Sequence, residues 1–182
     1  MKTKINILKQ ALGLTPSYEE EVALNSQFLL THQAQVFEQL VNWLAANQGL
    51  EINLAPEELF IQDFYNSLVS GSYQETFYSL VYQQTLRWYH LGLTENQTLV
   101  LLSQLWQALL ATTNQLENFN LDKAICLLID LVRVMSVNIF SLAKELEMLK
   151  ERSNYEAKRI DQAFSLLEAN LPDKLVEAYL NH

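Results

Sequence analysis

Apolar residues recur through the first part of this chain at the three- and four-residue spacing that is typical of amphipathic helices. A short apolar stretch, Leu8–Leu12, predicts a helix that ends at Gly13. The next pattern begins after Pro16 and continues to Gly49, with one face lined by Phe37, Leu40, Val41 and Leu44. After a loop at 50–55, the pattern predicts a further helix with Pro56 in its first turn and a stripe of Phe60, Phe64 and Leu68.

Three pairs of residues have the spacing of a capping box, in which Ser or Thr and a Glu or Gln three positions later close the first turn of a helix. The pairs are Ser17 with Glu20, Ser72 with Glu75, and Thr94 with Gln97. They predict three helix starts, and Gly92 is expected to end the second of these helices in a left-handed conformation.

The longest apolar pattern alternates steps of four and three residues without a break. It comprises Leu121, Ile125, Leu128, Val132, Met135, Ile139, Leu142, Leu146 and Leu149. Such a seam requires another helix against it, and part of it is expected to pack in the core against the helix that starts at Thr94. No strand alternation is visible, so the pattern predicts an all-α fold with globin-like or bundle packing.

A change of composition divides the chain near residue 150. The run Lys150–Asn154 is polar, and a weaker apolar stripe follows before Pro172. We therefore expect a helical domain at 1–150, whose last helix extends from the globule, and a helical C-terminal extension at 151–182.

Composition limits the partners and the cellular location. The net charge is −9 and no Lys/Arg cluster longer than a pair occurs, which argues against nucleic acid and anionic membranes as partners. The single cysteine, Cys126, lies in an apolar run and is typical of a core residue in a reducing compartment. No signal peptide and no apolar span of membrane length is recognised, so a cytoplasmic protein is expected.

Residues 70–93, SGSYQETFYSLVYQQTLRWYHLGL, resemble one segment of the globin-coupled sensors and protoglobins. Ser70–Phe77 is similar to the family's opening phrase SG-x-Y-(D/E)-E-x-Y, and Leu91–Leu93 is similar to its closing IGL or LGL. Lys123–Leu131 is similar to the phrase K-x-x-x-x-L-L-x-L-D of the last globin helix. The resemblance covers residues 15–149 and implies a globin-like fold of the sensor type, with a long last helix.

The same resemblance places a haem-ligating histidine three residues before the closing motif, and this position holds Trp88. Tryptophan does not ligate haem iron, so we expect no haem and a buried Trp88 in the space that a porphyrin would occupy. The expected lining of that pocket is Phe60, Phe64, Tyr73, Phe77, Val81 and Trp88. An open pocket that binds another flat apolar ligand remains an alternative.

His90 is the alternative haem ligand. Two positions along a helix rotate a side chain by about 200°, so a two-residue local deletion would be needed to bring His90 to the position of Trp88. A histidine in the last helical turn, favourable beside the negative end of the helix dipole, explains the residue without haem. His32 is expected at a core edge and His182 at a free terminus; with one distant cysteine, these histidines predict no metal site.

The family resemblance also implies a homodimer, in which the last two helices form a four-helix bundle with a second copy. The dimer contacts are expected at Leu128, Val132, Met135, Ile139, Leu142 and Leu146. Apolar residues beyond the seam, among them Leu127 and Val134, would let the last helix serve both core and interface.

No nucleophile elbow, phosphate loop or zinc-protease motif occurs, so no catalytic residues and no enzyme activity are expected. The sequence therefore favours a non-enzymatic sensory or regulatory module that signals to a separate output protein. Two alternatives stay open: a gas or redox sensor that binds haem through His90, and a purely structural dimerisation adaptor.

Overall fold

The computed structural model describes residues 2–46 and 60–153, together with Ser165 alone, and within these ranges the protein is helical without a strand. The prediction of an all-α fold is therefore confirmed. The helices are α1 (Lys2–Leu12), α2 (Pro16–Thr31), α3 (Gln33–Ala46), α4 (Gln62–Leu68), α5 (Glu75–His90), α6 (Glu95–Thr113) and α7 (Phe119–Ser153), with a short 3-10 turn at Asn114–Leu116.

One of the three predicted capping boxes forms. The backbone N–H of Gln97 donates to Thr94 Oγ1 at 3.2 Å, and the N–H of Thr94 donates to Gln97 Oε1 at 2.7 Å. The box at Ser17 is wrong because α2 already begins at Pro16, which lacks an N–H and is suited to the first helical turn. The box at Ser72 is wrong because that residue lies in a turn before α5, which begins at Glu75.

Two long patterns are interrupted where a single helix was predicted. His32 separates α2 from α3, and its ring Nδ1 lies 2.8 Å from the carbonyl oxygen of Phe28, which also accepts the backbone N–H of His32. A side chain that competes for a helical carbonyl in this way favours a helix end. In the helix predicted from Pro56, residues 60–61 are not helical and α4 begins only at Gln62. Both glycine stops are confirmed: Gly13 and Gly92 have φ of +80° and +82°.

The core surrounds α7, which contacts α2, α5 and α6. The inner row of α7 is buried almost completely, and each large side chain of this kind stabilises the fold by about 1.5–3 kcal/mol. The row comprises Leu121, Ile125, Leu128, Val132, Met135 and Ile139, none more than 2 % exposed. Most of the apolar seam is thus buried by contacts within one chain.

The apolar character of α7 exceeds the sequence-based expectation. By length and composition, Phe119–Lys150 is long and apolar enough to cross a membrane, and an 18-residue window within it has a mean hydropathy of 2.0. The expectation that no such span exists is therefore wrong. Half of that window is buried inside the protein, and a core helix of a soluble protein passes the same test.

The last part of α7 leaves the packed body. Met148 and Leu149 are 46 % and 58 % exposed, and the helix continues to Ser153. The C-terminal extension predicted at 151–182 lies outside the described residues, apart from 151–153 and Ser165. The loop at 50–55 and Pro56 also lie outside them.

Candidate functional site around Trp88

Trp88, near the end of α5, lies in a cluster of aromatic rings and has no exposed surface. The rings of Phe60 and Phe64 meet its indole edge to face, with centroids 5.8 and 5.9 Å away and interplanar angles of 89° and 78°. Phe37 of α3 stacks on Phe60 at 5.7 Å. Edge-to-face pairs at these distances are favourable beyond the area they bury. The cluster therefore joins three parts of the chain around one indole.

A buried amide fixes the approach of this aromatic segment to α5. Gln84 Oε1 accepts the backbone N–H of Ile61 at 2.6 Å, and Gln84 has no exposed surface. Gln84 lies one turn before Trp88, so both side chains hold the region that precedes α4. Since Ile61 is the N-cap of α4, this hydrogen bond also sets where that helix begins.

The other predicted lining residues form a second buried group near the start of α5. Tyr73 and Phe77 contact each other with ring centroids 4.9 Å apart, and Val81 is fully buried. The hydroxyl of Tyr73 donates to the carbonyl oxygen of Leu68 at 2.9 Å, and burial raises the pKa of this phenol. All six predicted lining residues are thus buried, but the observed ring contacts divide them into a Trp88 group and a Tyr73–Phe77 pair.

The residues around Trp88 do not fit a haem group placed as the family resemblance implies. Indole has a donor N–H and no lone pair in its plane for an iron ion. His90, two residues further along, is exposed as the last residue of α5, and its ring lies against Tyr89 rather than in the Trp88 cluster. The aromatic rings present give packing but no iron ligand.

The residue types that bind metal ions also form no cluster within the described ranges. Among residues 2–46 and 60–153, no group of three or more His, Cys, Asp or Glu residues could hold a metal ion. His182 lies outside the described residues. Burial and the nearby carboxylate of Asp130 raise the pKa of the Cys126 thiol, which keeps it protonated and unreactive at neutral pH.

Sequence reasoning missed the polar face of α5 that meets α7. Thr85 Oγ1 and Ser136 Oγ are 3.0 Å apart in the core, and both residues are at most 1 % exposed. One turn further on, the hydroxyl of Tyr89 donates to the Glu147 carboxylate, and the ring of Tyr89 meets Phe140 edge to face at 5.5 Å. Burial together with this hydrogen bond raises the pKa of Tyr89 to about 12. The polar residues of α5 could have been noticed in the sequence because they interrupt its apolar pattern. The sequence does not show, however, which residue of α7 each of them meets.

The predicted dimer contacts on α7 require a correction. Leu128, Val132, Met135 and Ile139 are at most 1 % exposed within a single chain, so no second copy can reach them in this arrangement. These side chains pack in the core because one face of α7 serves three neighbouring helices. Leu142 and Leu146 are only half-buried and keep accessible surface.

A different face, shared by α6 and α7, carries half-buried apolar side chains. We call it the outer face; it comprises Leu99, Trp106 and Leu110 on α6, and Cys126, Arg133 and Val137 on α7. At its centre, the Arg133 guanidinium donates to Ser103 Oγ at 2.9 Å and to Asp130 Oδ1 at 2.8 Å, and lies 6.0 Å from the centroid of Trp106. Within the described part of the chain, the buried Nε1–H of Trp106 has no hydrogen-bond partner.

A groove of about 320 Å³ lies between α3 and α6, on a different face of α6 from the outer face. It is lined by Gln39, Leu40, Gln104, Gln107, Ala108 and Ala111. Its carboxamides are uncharged and its floor is apolar, so it offers hydrogen bonds but no catalytic group.

Comparison with known proteins adds no relative: no family model, curated protein or solved structure matches this chain. The likeness to sensor globins therefore depends on the motif residues of 70–93 and 123–131.

Proposed function

We propose that this protein is a non-enzymatic sensory or regulatory domain of the globin-coupled-sensor type, which works without haem and signals as a homodimer. The observation that carries this proposal is the position of Trp88. The indole stands where the resemblance places an iron ligand, and two phenylalanine rings meet it edge to face at less than 6 Å. An aromatic core of this kind supports a domain that responds to changes in packing rather than to a gas bound at iron.

The outer face supports the homodimer. Tryptophan and arginine contribute more than other residues to the stability of protein interfaces, and Trp106 and Arg133 lie together at its centre. Leu99, Leu110 and Val137 surround them with partly accessible apolar surface. A second copy placed on this face would build a four-helix bundle from two α6–α7 pairs, in place of the contacts that the sequence predicted on the buried side of α7.

The exposed end of α7 supports a separate output partner. Residues Lys144–Lys150 are largely exposed, with Met148 and Leu149 offering apolar surface beyond the packed body. A partner bound to this end would respond to any change in the position of α7.

Haem loading tests the proposal. The purified protein is mixed with haemin, freed of excess, and its absorption spectrum is recorded through the Soret region. We expect no bound-haem band, because Trp88 supplies no ligand and His90 lies outside the aromatic cluster. The His90→Ala variant is the matched control and is expected to give the same spectrum.

A stoichiometric Soret band in the wild-type protein would contradict the haem-free proposal. If that band disappeared in His90→Ala, the protein would be a haem-binding sensor with His90 as its axial ligand. If the band persisted in His90→Ala, another residue would hold the haem.

A further inference from the structure

α5 makes different contacts on two of its faces. Gln84 and Trp88, one turn apart, face the segment at Phe60–Phe64. The residues that directly follow them, Thr85 and Tyr89, face α7. Because one helical residue corresponds to a rotation of about 100°, a single rigid helix presents both faces at the same level.

The α7 contacts of α5 follow one line along that helix. Thr85 meets Ser136, and Tyr89 meets Phe140 and then Glu147. Ser136 and Phe140 are buried, whereas Glu147 lies on the exposed end of α7. Tyr89 is therefore in contact with α7 where that helix leaves the packed body.

We propose that Tyr89 is a positioning residue that transmits packing changes at the Trp88 cluster to the exposed end of α7, residues Lys144–Lys150. A repacking of Phe60 or Phe64 against Trp88 shifts the end of α5, and Tyr89 carries this shift to Glu147 through its hydroxyl. The inference rests on the proposed function in that it assigns the aromatic cluster as the place where the signal begins.

The chemistry of the pair fits this role. A hydroxyl that donates to a carboxylate makes a stronger hydrogen bond than two neutral groups do. Since burial and Glu147 raise the pKa of Tyr89 to about 12, the phenol stays a donor at physiological pH. The contact is also partly accessible, so it can break and form again without opening the core.

Hydrogen exchange of the full chain tests the relay. Phe64→Leu disturbs the cluster from α4, while Tyr89→Phe removes only the hydroxyl that meets Glu147. In the wild-type background, we expect Phe64→Leu to increase amide exchange at 144–150 by about tenfold relative to amides of α6. In the Tyr89→Phe background, the same substitution is expected to change that ratio less than about twofold.

Tyr18→Phe is the matched control, because Tyr18 of α2 meets Lys123 near the other end of α7, with the ammonium 5.4 Å from its ring. In this background the response to Phe64→Leu should be unchanged. If Phe64→Leu does not fold, Phe60→Leu takes its place, since Phe60 contacts the same indole.

An equal response with and without the Tyr89 hydroxyl, or no response at 144–150 in either background, would overturn the relay. Failure of the proposed function has a different signature, namely bound haem in the absorption spectrum. Hydrogen exchange reports packing within one chain and does not depend on haem binding. The two experiments therefore test the relay and the proposed function separately.

Discussion

Gly71 shows how one residue sets a close approach between elements. It has φ of +73°, and a Cβ built there would lie 2.5 Å from the backbone nitrogen of Ala23 and 2.6 Å from the carbonyl oxygen of Glu19. Both atoms belong to the backbone of α2, so neither can move aside as a flexible side chain would. The turn between α4 and α5 can therefore lie directly on α2 only because position 71 has no side chain.

Gly71→Ala is expected to reduce the free energy of unfolding by about 3 kcal/mol or more, from left-handed strain and a backbone clash together. Gly92→Ala is the matched control: its φ of +82° imposes similar strain, but nothing lies within 4 Å of the added Cβ. We expect that variant to lose only about 1–2 kcal/mol. Urea denaturation followed by circular dichroism measures both, and equal losses would show that the approach to α2 does not matter.

The contact between α5 and α7 includes a hydroxyl pair, Thr85 and Ser136, that is buried in the core. Thr85 Oγ1 also donates to the carbonyl oxygen of Val81 at 2.8 Å, so its hydroxyl is fixed by its own helix before it meets Ser136. This arrangement holds the two helices in one register, which a purely apolar contact specifies less strictly. It also lies one turn from Tyr89, which we propose as the relay.

Thr85→Val is expected to lower the free energy of unfolding by about 1–3 kcal/mol, because Ser136 loses its buried partner. The double variant Thr85→Val/Ser136→Ala should lose less than the sum of the two single variants, since no buried hydroxyl remains unpaired. Thr112→Val makes the same chemical change where the hydroxyl bonds Ala108 within α6. If the loss of unfolding free energy in the double variant equals the sum of the two single losses, the two hydroxyls do not interact.

At the scale of the whole molecule, the proposed homodimer depends on which face of α7 remains accessible. One face of α7 packs against α2, α5 and α6, and half-buried apolar residues remain on the outer face and at Leu142 and Leu146. Leu24 on α2, 76 % exposed, is an apolar residue outside this face. The effect of a substitution on the oligomeric state can therefore be compared between the outer face and Leu24.

Val137→Glu is expected to convert a dimer into a monomer, because it places a carboxylate in the apolar part of the outer face. Leu24→Glu should leave the dimer intact. Light scattering coupled to size exclusion gives the mass of each, and circular dichroism shows whether Val137→Glu keeps its helices. A wild-type protein that is monomeric at micromolar concentration would contradict the interface.

The sequence by itself determined the helical character of the chain and many of its helix ends. Periodicity predicted α1, α6 and α7, and the local hydrogen bonds of Thr94 with Gln97 and the left-handed glycines were readable because they involve neighbouring residues. The same local reasoning failed at His32, where a side chain competes for a helical carbonyl and a helix ends, and at Phe60 and Ile61, which are not helical although the pattern predicts a helix through them.

Only the tertiary structure decided which face of each helix is used. The heptad seam of α7 could serve core or interface equally well on sequence grounds, and packing against three helices assigned four of its predicted interface residues to the core. The pairings of Trp88 with Phe60 and of Tyr89 with Glu147 join residues far apart in the chain. Spacing along a helix fixes directions around its own axis, but the neighbours met in those directions depend on how the whole chain packs.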